Sequence, residues 1–279
     1  MAAIKEHTVL VLQGGGALGA YQAGAYQALS ASGLEPDWVA GISIGAINAA
    51  LICGNAPENR LTALQGFWDR VTSRLSVTPW LAGPLGRMIY GEAAAATVMA
   101  TGVPGFFKPR LPAAFLPAAF LPVSQHPAIS VYDTAPLRDM LLEFVDFDYL
   151  NASGPRLSVG AVDVETANFV YFDSVKTQIT PEHIMASGAL PPGFAPVQID
   201  GRFYWDGGLV SNTPLQFVMD NLGADPTLIF QIDLFSAHDT MPTAMTDVSQ
   251  RQKDIQYSSR TRLTTDRYRQ LHQIRMAAN

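Results

Sequence analysis

Apolar positions along this chain fall into two periods. Residues 8–12 form an unbroken apolar run after Thr8, the length of one strand buried on both faces, and 38–41 read as the end of a second. Between them, 17–32 has helical length and composition and is closed by Gly33. From 57 to 100 the spacing is mostly helical, with Phe67, Trp68, Val71 and Leu75 on one face and Glu92 opening an alanine-rich stretch. These aromatics read as core. Residues 134–144 predict a helix capped by Thr134, and 151–155 a turn. Strand patterns follow at 157–162, 169–172, 197–199 and 203–205, the last two joined by an Asp200-Gly201 hairpin turn, and 227–234 predicts a further buried strand. Strands alternating with helices over the whole length predict a mostly parallel sheet with helices on both faces.

Two segments depart from this pattern. Residues 102–127 are dense in proline and contain a tandem duplication, Leu111-Pro112-Ala113-Ala114-Phe115 followed by Leu116-Pro117-Ala118-Ala119-Phe120. Proline at that density excludes regular helix or a central strand, so the expectation is a long irregular loop, either a cover over a site or an insertion. Its Phe106, Phe107, Phe115, Leu116 and Phe120 suit either a lipid surface or packing on the chain's own body. The second segment is the tail. Residues 247–279 hold seven of the 18 Lys and Arg against three acids and lack Gly and Pro, which predicts a basic, solvated or partner-facing helix. The expected organisation is a body over 1–244 and this tail over 245–279.

Composition narrows the function classes. At 279 residues and 48% hydrophobic, the chain can bury a large core, and a net charge of −6 argues against nucleic acid as partner. The single cysteine, Cys53, sits in an apolar helix-compatible segment and reads as a buried inert thiol in a reducing compartment. The longest apolar segment, 39–53, is too short for a membrane span. The short mixed-charge start carries no signal-peptide pattern, so a cytosolic protein with at most peripheral membrane contact is expected.

Candidate chemistry concentrates in two glycine-rich turns. Gly41-Ile42-Ser43-Ile44-Gly45 follows the second strand pattern and precedes an apolar helix-compatible stretch, the setting in which a sharp turn presents a serine nucleophile. Gly14, Gly15 and Gly16 end the first strand pattern where free backbone N–H groups are candidates to meet a developing oxyanion. A nucleotide loop is the rival reading of that cluster, but no Gly-Lys-Ser/Thr follows it. A nucleophilic serine needs a base. His238 after the last strand would give the order Ser43, Asp206, His238, whereas Asp206, followed by Gly207 and Gly208, could itself be the base of a two-residue site; spacing leaves both open.

Four blocks in this order resemble the patatin-like phospholipases: the glycine run 14–19, the 41–45 elbow, Ala186-Ser187-Gly188-Ala189-Leu190-Pro191 with Phe194-Ala195-Pro196-Val197, and Asp206-Gly207-Gly208 with Asn212-Thr213-Pro214. The resemblance implies a three-layer α/β/α fold and hydrolysis of lipid acyl esters by a Ser43–Asp206 dyad, without histidine, metal or cofactor. It implies an oxyanion loop at Gly14, Gly15 and Gly16, with the Ile44 N–H as a further donor, and a structural part for Asp163. Many members carry Lys or Arg in the glycine loop where this chain has Leu18, and the tail from Lys253 to Arg260 looks like the start of an extra C-terminal region found in a bacterial subset. A broader carboxylesterase or polyester hydrolase and a non-catalytic lipid-binding or partner-binding module are the alternatives.

Overall fold

The first apolar run is β1 (His7–Leu12), buried along almost its whole length because it lies between two parallel neighbours, β2 (Trp38–Ile42) and β9 (Thr227–Ile232). This computed structural model describes residues 6–73, 97–110, 129–223, 225–259 and 261–278. β2 pairs in parallel with β5 (Arg156–Asp163), completing a four-strand parallel body in the order β5-β2-β1-β9. β5 is longer than β2 and carries three antiparallel additions: β6 (Phe169–Asp173) along its outer edge, and β8 (Arg202–Asp206), itself paired with β7 (Val197–Ile199), along the end of its inner edge. The sheet is therefore mixed, parallel in its body and antiparallel where the chain turns back on β5.

Alternation along the strands divides the core into layers. Leu10, Leu12, Val39, Leu157 and Val159 point to a face covered by α1 (Ala20–Ala31), α2 (Ile44–Cys53), α3 (Pro57–Thr72), α4 (Ala135–Phe144) and α5 (Phe147–Ala152). The intervening Val9, Val11, Trp38 and Ala40 point to the other face, against Leu215 and Val218 of α7 (Leu215–Asp220). This is the three-layer α/β/α arrangement. α2 is buried at every position, so it behaves as a central helix rather than a surface one.

Local departures from the sequence expectations have identifiable causes. Residues 17–32 begin as a tight 3-10 turn, Gly16–Gly19, before α1 starts. Asn151 belongs to α5, which Asp146 caps by accepting the Tyr149 N–H at 2.8 Å, so the turn expected at 151–155 starts later. Thr134 occupies the cap position of α4, but its side chain does not cap; Asp133 Oδ1 accepts the Ala135 N–H at 3.0 Å. Of the expected helical stretch 57–100, α3 and a short turn at 97–101 are described, and 74–96 lie outside the described residues, as does the duplication at 111–120. Phe106 and Phe107, the described aromatics of the proline-rich segment, pack on Phe194 with centroids 6.2 and 5.2 Å away, so they serve the body's own core edge. A two-strand ribbon, β3 (Lys108–Pro109) with β4 (Tyr132–Asp133), closes that segment at its base.

The tail forms two helices after α6 (Pro181–Ser187) and α7: α8 (Met245–Tyr257) and α9 (Thr261–Ala278). Ile255, Leu263 and Ile274 are exposed. Tyr268 of α9 hydrogen-bonds through its hydroxyl to Asp220 at the end of α7. Among the described residues no helix is long and apolar enough to cross a membrane.

Candidate active site

Register places the end of β1, the end of β2 and the end of β9 side by side: Leu12 lies opposite both Gly41 and Ile232. The loops that leave these strands share the carboxyl edge of the sheet, where open α/β folds form clefts. Ser43 turns directly from β2 into α2 with φ 56° and ψ −125°, a positive-φ conformation costing about 1–3 kcal/mol for a residue with a Cβ. The surroundings hold it there. A Cβ on Gly45 would strike the backbone of Leu12 and the carbonyl oxygen of Gln13, and one on Gly41 would strike the backbone of Gly45 and Ala46. The Ser43 N–H donates to Ser187 Oγ at 2.9 Å, and that hydroxyl donates in turn to the Gly160 carbonyl at 2.7 Å.

Asp206 reaches the same point from the opposite direction. Ile42 lies opposite Gly160 of β5, and Asp206 lies opposite the next residue, Ala161. β6 occupies the outer edge of both, so β2 and β8 meet end to end on the inner edge. Asp206 is 2% exposed. Its Oδ1 accepts the Gly208 N–H at 2.7 Å, and Ser43 lines the same cleft beside it. Burial raises its pKa from 3.8 to about 6, against the opposing pull of the Gly208 N–H and, less strongly, of the neighbouring Ser43 hydroxyl, both of which favour the carboxylate. The absence of a Cβ at Gly207 lets the chain pass the Gly160 carbonyl.

The glycine loop lies on the other side of Ser43. Gly14 is clamped from both ends, its N–H donating to the Asn212 carbonyl at 3.1 Å and its own carbonyl accepting Asn212 Nδ2 at 2.9 Å. Its N–H therefore does not face the cleft, a correction to the expectation that all three glycines offer donors. Gly15 is extended at φ 177° and Gly16 is in the left-handed region at φ 57°. Among the described residues neither of their N–H groups has a backbone acceptor, and the Ile44 N–H, first of α2, has none either. Leu18 is 48% exposed.

Leu190, Phe235 and Tyr257 complete the walls of a cleft of about 120 Å³ around Ser43 and Asp206. The aromatic pair was not legible as site residues. Phe235 and Tyr257 meet at 5.5 Å between ring centroids, and both are placed by Gln13, which is fully buried at the end of β1. Gln13 Oε1 accepts the N–H groups of Leu234 and Phe235 at 2.6 and 2.9 Å, while Nε2 donates to Thr213 Oγ1 at 2.9 Å and to the Tyr257 carbonyl at 3.0 Å. One side chain thus ties together the loops after β1, β8 and β9 and the end of α8.

The remaining candidates stand elsewhere. His238 is exposed in the loop after β9 and does not line the cleft. His183 closes the first turn of α6, its Nδ1 accepting the Thr180 N–H at 3.0 Å. Asp163 is 2% exposed and accepts the Glu165 and Thr166 N–H groups and Arg202 Nη1, a turn-forming role; the Thr166 N–H first of all holds its carboxyl below the usual range. Cys53 is buried, which pushes its thiol up to about 12. Among the described residues no group of three or more His, Cys, Asp or Glu side chains is disposed to hold a metal.

The sequence model described as patatin-like phospholipase matches residues 10–219, a span that includes Ser43, Asp206 and Asn212 but not Phe235 or Tyr257. No curated protein sequence matches the chain. Among solved structures, VipD from Legionella pneumophila superposes with a TM-score of 0.46 at 17% identity, over 88% of this chain and 52% of its own. The type III effector protein ExoU superposes with a TM-score of 0.30 at 16% identity, over 90% of this chain and 51% of its own. The chain spans about half the length of each.

Proposed function

The chain belongs to the patatin-like phospholipase family, and from that premise we propose that it hydrolyses carboxylic esters of lipids through Ser43 and Asp206. The observation that carries this reading is the placement of Ser43 in one cleft with a buried carboxylate whose pKa is near 6. Such a group is mostly ionised at neutral pH yet basic enough to accept a proton during attack.

Ser43 Oγ attacks the ester carbonyl carbon as its proton passes to Asp206. The oxyanion that forms is met by the N–H groups of Gly15, Gly16 and Ile44. Collapse of this intermediate breaks the ester C–O bond, and Asp206 returns its proton to the departing alcohol. An acyl-serine remains. Water then attacks the acyl carbon, giving its proton to Asp206, and the second collapse returns that proton to Ser43 Oγ and releases the fatty acid. Each cycle consumes one ester and one water and leaves both residues unchanged.

Fatty acid release from mixed phospholipid and neutral ester dispersions tests the reading. The wild type is expected to release acid, with release lost in Ser43→Ala and Asp206→Asn. Retained turnover in Asp206→Asn with loss in His238→Ala would replace the dyad by a histidine-based triad. The small volume of the cleft favours a second reading, a broader carboxylesterase acting on small acyl esters. A preference for dispersed monomers over bilayers in the same assay would select it.

A further inference from the structure

The wall of the cleft farthest from the family-matched region is built by Tyr257, the last residue of α8, against Phe235. Its main chain is fixed. The Tyr257 carbonyl accepts Gln13 Nε2 at 3.0 Å and Asn212 Nδ2 at 2.9 Å, and both donors are themselves buried. Asn212 is the residue that clamps Gly14, so the end of α8 is anchored to the glycine loop by a single shared side chain.

Two spaces of different volume adjoin the end of α8. The catalytic cleft of about 120 Å³ is well below the roughly 300–1,000 Å³ of pockets that enclose an extended small molecule. Adjoining it at Gly208 and Asn212 is a cavity of about 650 Å³ between α7, α8 and α9. The two cavities share Gly208 and Asn212, and the larger one is lined by Gln256 and Ser258, the residues on either side of Tyr257. Tyr257 lines the cleft that holds Ser43 while its two chain neighbours line the larger space, so the end of α8 passes between the two, and the Tyr257 and Phe235 rings bound the smaller one.

We infer that Tyr257 is a specificity-determining residue that limits the length of the acyl group reaching Ser43, with Phe235 completing the stop. The inference rests on the acyl-hydrolase reading above. It assigns to the C-terminal segment, outside the family match, a direct part in substrate choice.

The test measures kcat/KM for p-nitrophenyl esters from acetyl to palmitoyl, alongside the rate at which alkyl fluorophosphonates of graded length label Ser43. In the wild type both should favour short chains. Tyr257→Ala is expected to raise the long-to-short ratio by about tenfold or more, the scale of discrimination set by one or two methylenes in an apolar pocket. Tyr257→Phe should keep the wild-type profile, because the ring and the main-chain carbonyl both remain. Should Tyr257→Ala fail to fold, Tyr257→Leu and Phe235→Ala read the same ratio. A uniform change at all lengths, an unchanged profile in the truncated variants, or a wild type that already accepts palmitoyl and acetyl groups equally overturns the inference alone. Absence of Ser43 labelling by every probe in the folded wild type overturns the acyl-hydrolase reading, and this inference with it.

Discussion

The backbone N–H of Ser43 is held by the side-chain hydroxyl of Ser187, which arrives from the end of α6 at 2.9 Å and is itself anchored to the Gly160 carbonyl. Ser187 is fully buried, so no water replaces it on removal. Ser187→Ala leaves the Ser43 N–H without its acceptor, at a cost of about 1–3 kcal/mol. The expected outcome is a lower urea midpoint together with a fall in kcat that exceeds any change in KM, since the strained φ of Ser43 loses its restraint. Ser187→Thr, which keeps the hydroxyl, should recover part of both. Urea unfolding and steady-state kinetics on the two variants check this.

Asp206 has opposite consequences for activity and for stability. The base form is the carboxylate, so kcat/KM should rise with pH through about 6 and then level off. For stability, the folded protein binds a proton more tightly than the unfolded chain between 3.8 and about 6, so stability falls as pH rises across that window. A shift of this size corresponds to a penalty on the order of 3 kcal/mol at pH 8. Asp206→Asn should therefore be inactive yet more stable than the wild type at pH 8, with the difference closing as the pH falls below 3.8. Thermal unfolding of both proteins across this range, with circular dichroism to confirm the fold, measures it.

The glycines of the two turns should separate into structural and catalytic ones. At Gly45 an added methyl meets main-chain atoms of Leu12 and Gln13, which cannot move without displacing β1. Gly45→Ala should cost about 3 kcal/mol or more and lower the yield of folded protein. At Gly16 nothing lies within 4 Å of the added methyl, and only the positive φ opposes it, at about 1–2 kcal/mol. Gly16→Ala should fold, with a reduced kcat because the Gly15–Gly16 amides are displaced from the reacting carbonyl. Denaturant midpoints and kcat on the pair discriminate the two effects.

Much of this architecture was legible in the sequence because it is locally encoded. The run ending at Leu12, the strand entering Ser43 and the hairpin at Asp200-Gly201 each carry their own periodicity or turn residues, and the structure has them. That Asp206 comes to share a cleft with Ser43 was not legible by spacing. It depends on β8 returning antiparallel to take up the edge of β5 that β2 vacates, a pairing between segments far apart in the chain. Resemblance, not periodicity, pointed to Asp206. The tail was expected to be helical and basic, and α8 and α9 are helices; that α8 ends in the wall of the cleft was not foreseen. The reason is physical: the contact that fixes it is made by the Tyr257 carbonyl, and a main-chain atom leaves no mark on residue choice.

Gln13 organises the site and carries a sequence signal of its own. A glutamine directly after an apolar strand and directly before three glycines is a polar group with no route to solvent, and a polar side chain so placed persists only if its amide is fully engaged. The structure shows all four partners. Gln13→Ala removes the acceptor of two main-chain N–H groups and the donor to one hydroxyl and one carbonyl, and should destabilise the fold by on the order of 3 kcal/mol. Gln13→Glu offers the sharper comparison. It keeps the acceptor for Leu234 and Phe235 but turns a donor toward Thr213 Oγ1 and the Tyr257 carbonyl into an acceptor, so it should release the end of α8 while sparing the loop after β9. The expected readout is faster hydrogen exchange confined to α8 in Gln13→Glu, against faster exchange in α8 and in residues 233–237 for Gln13→Ala. Equal exchange in α8 between Gln13→Glu and the wild type would mean that Asn212 alone secures the Tyr257 carbonyl.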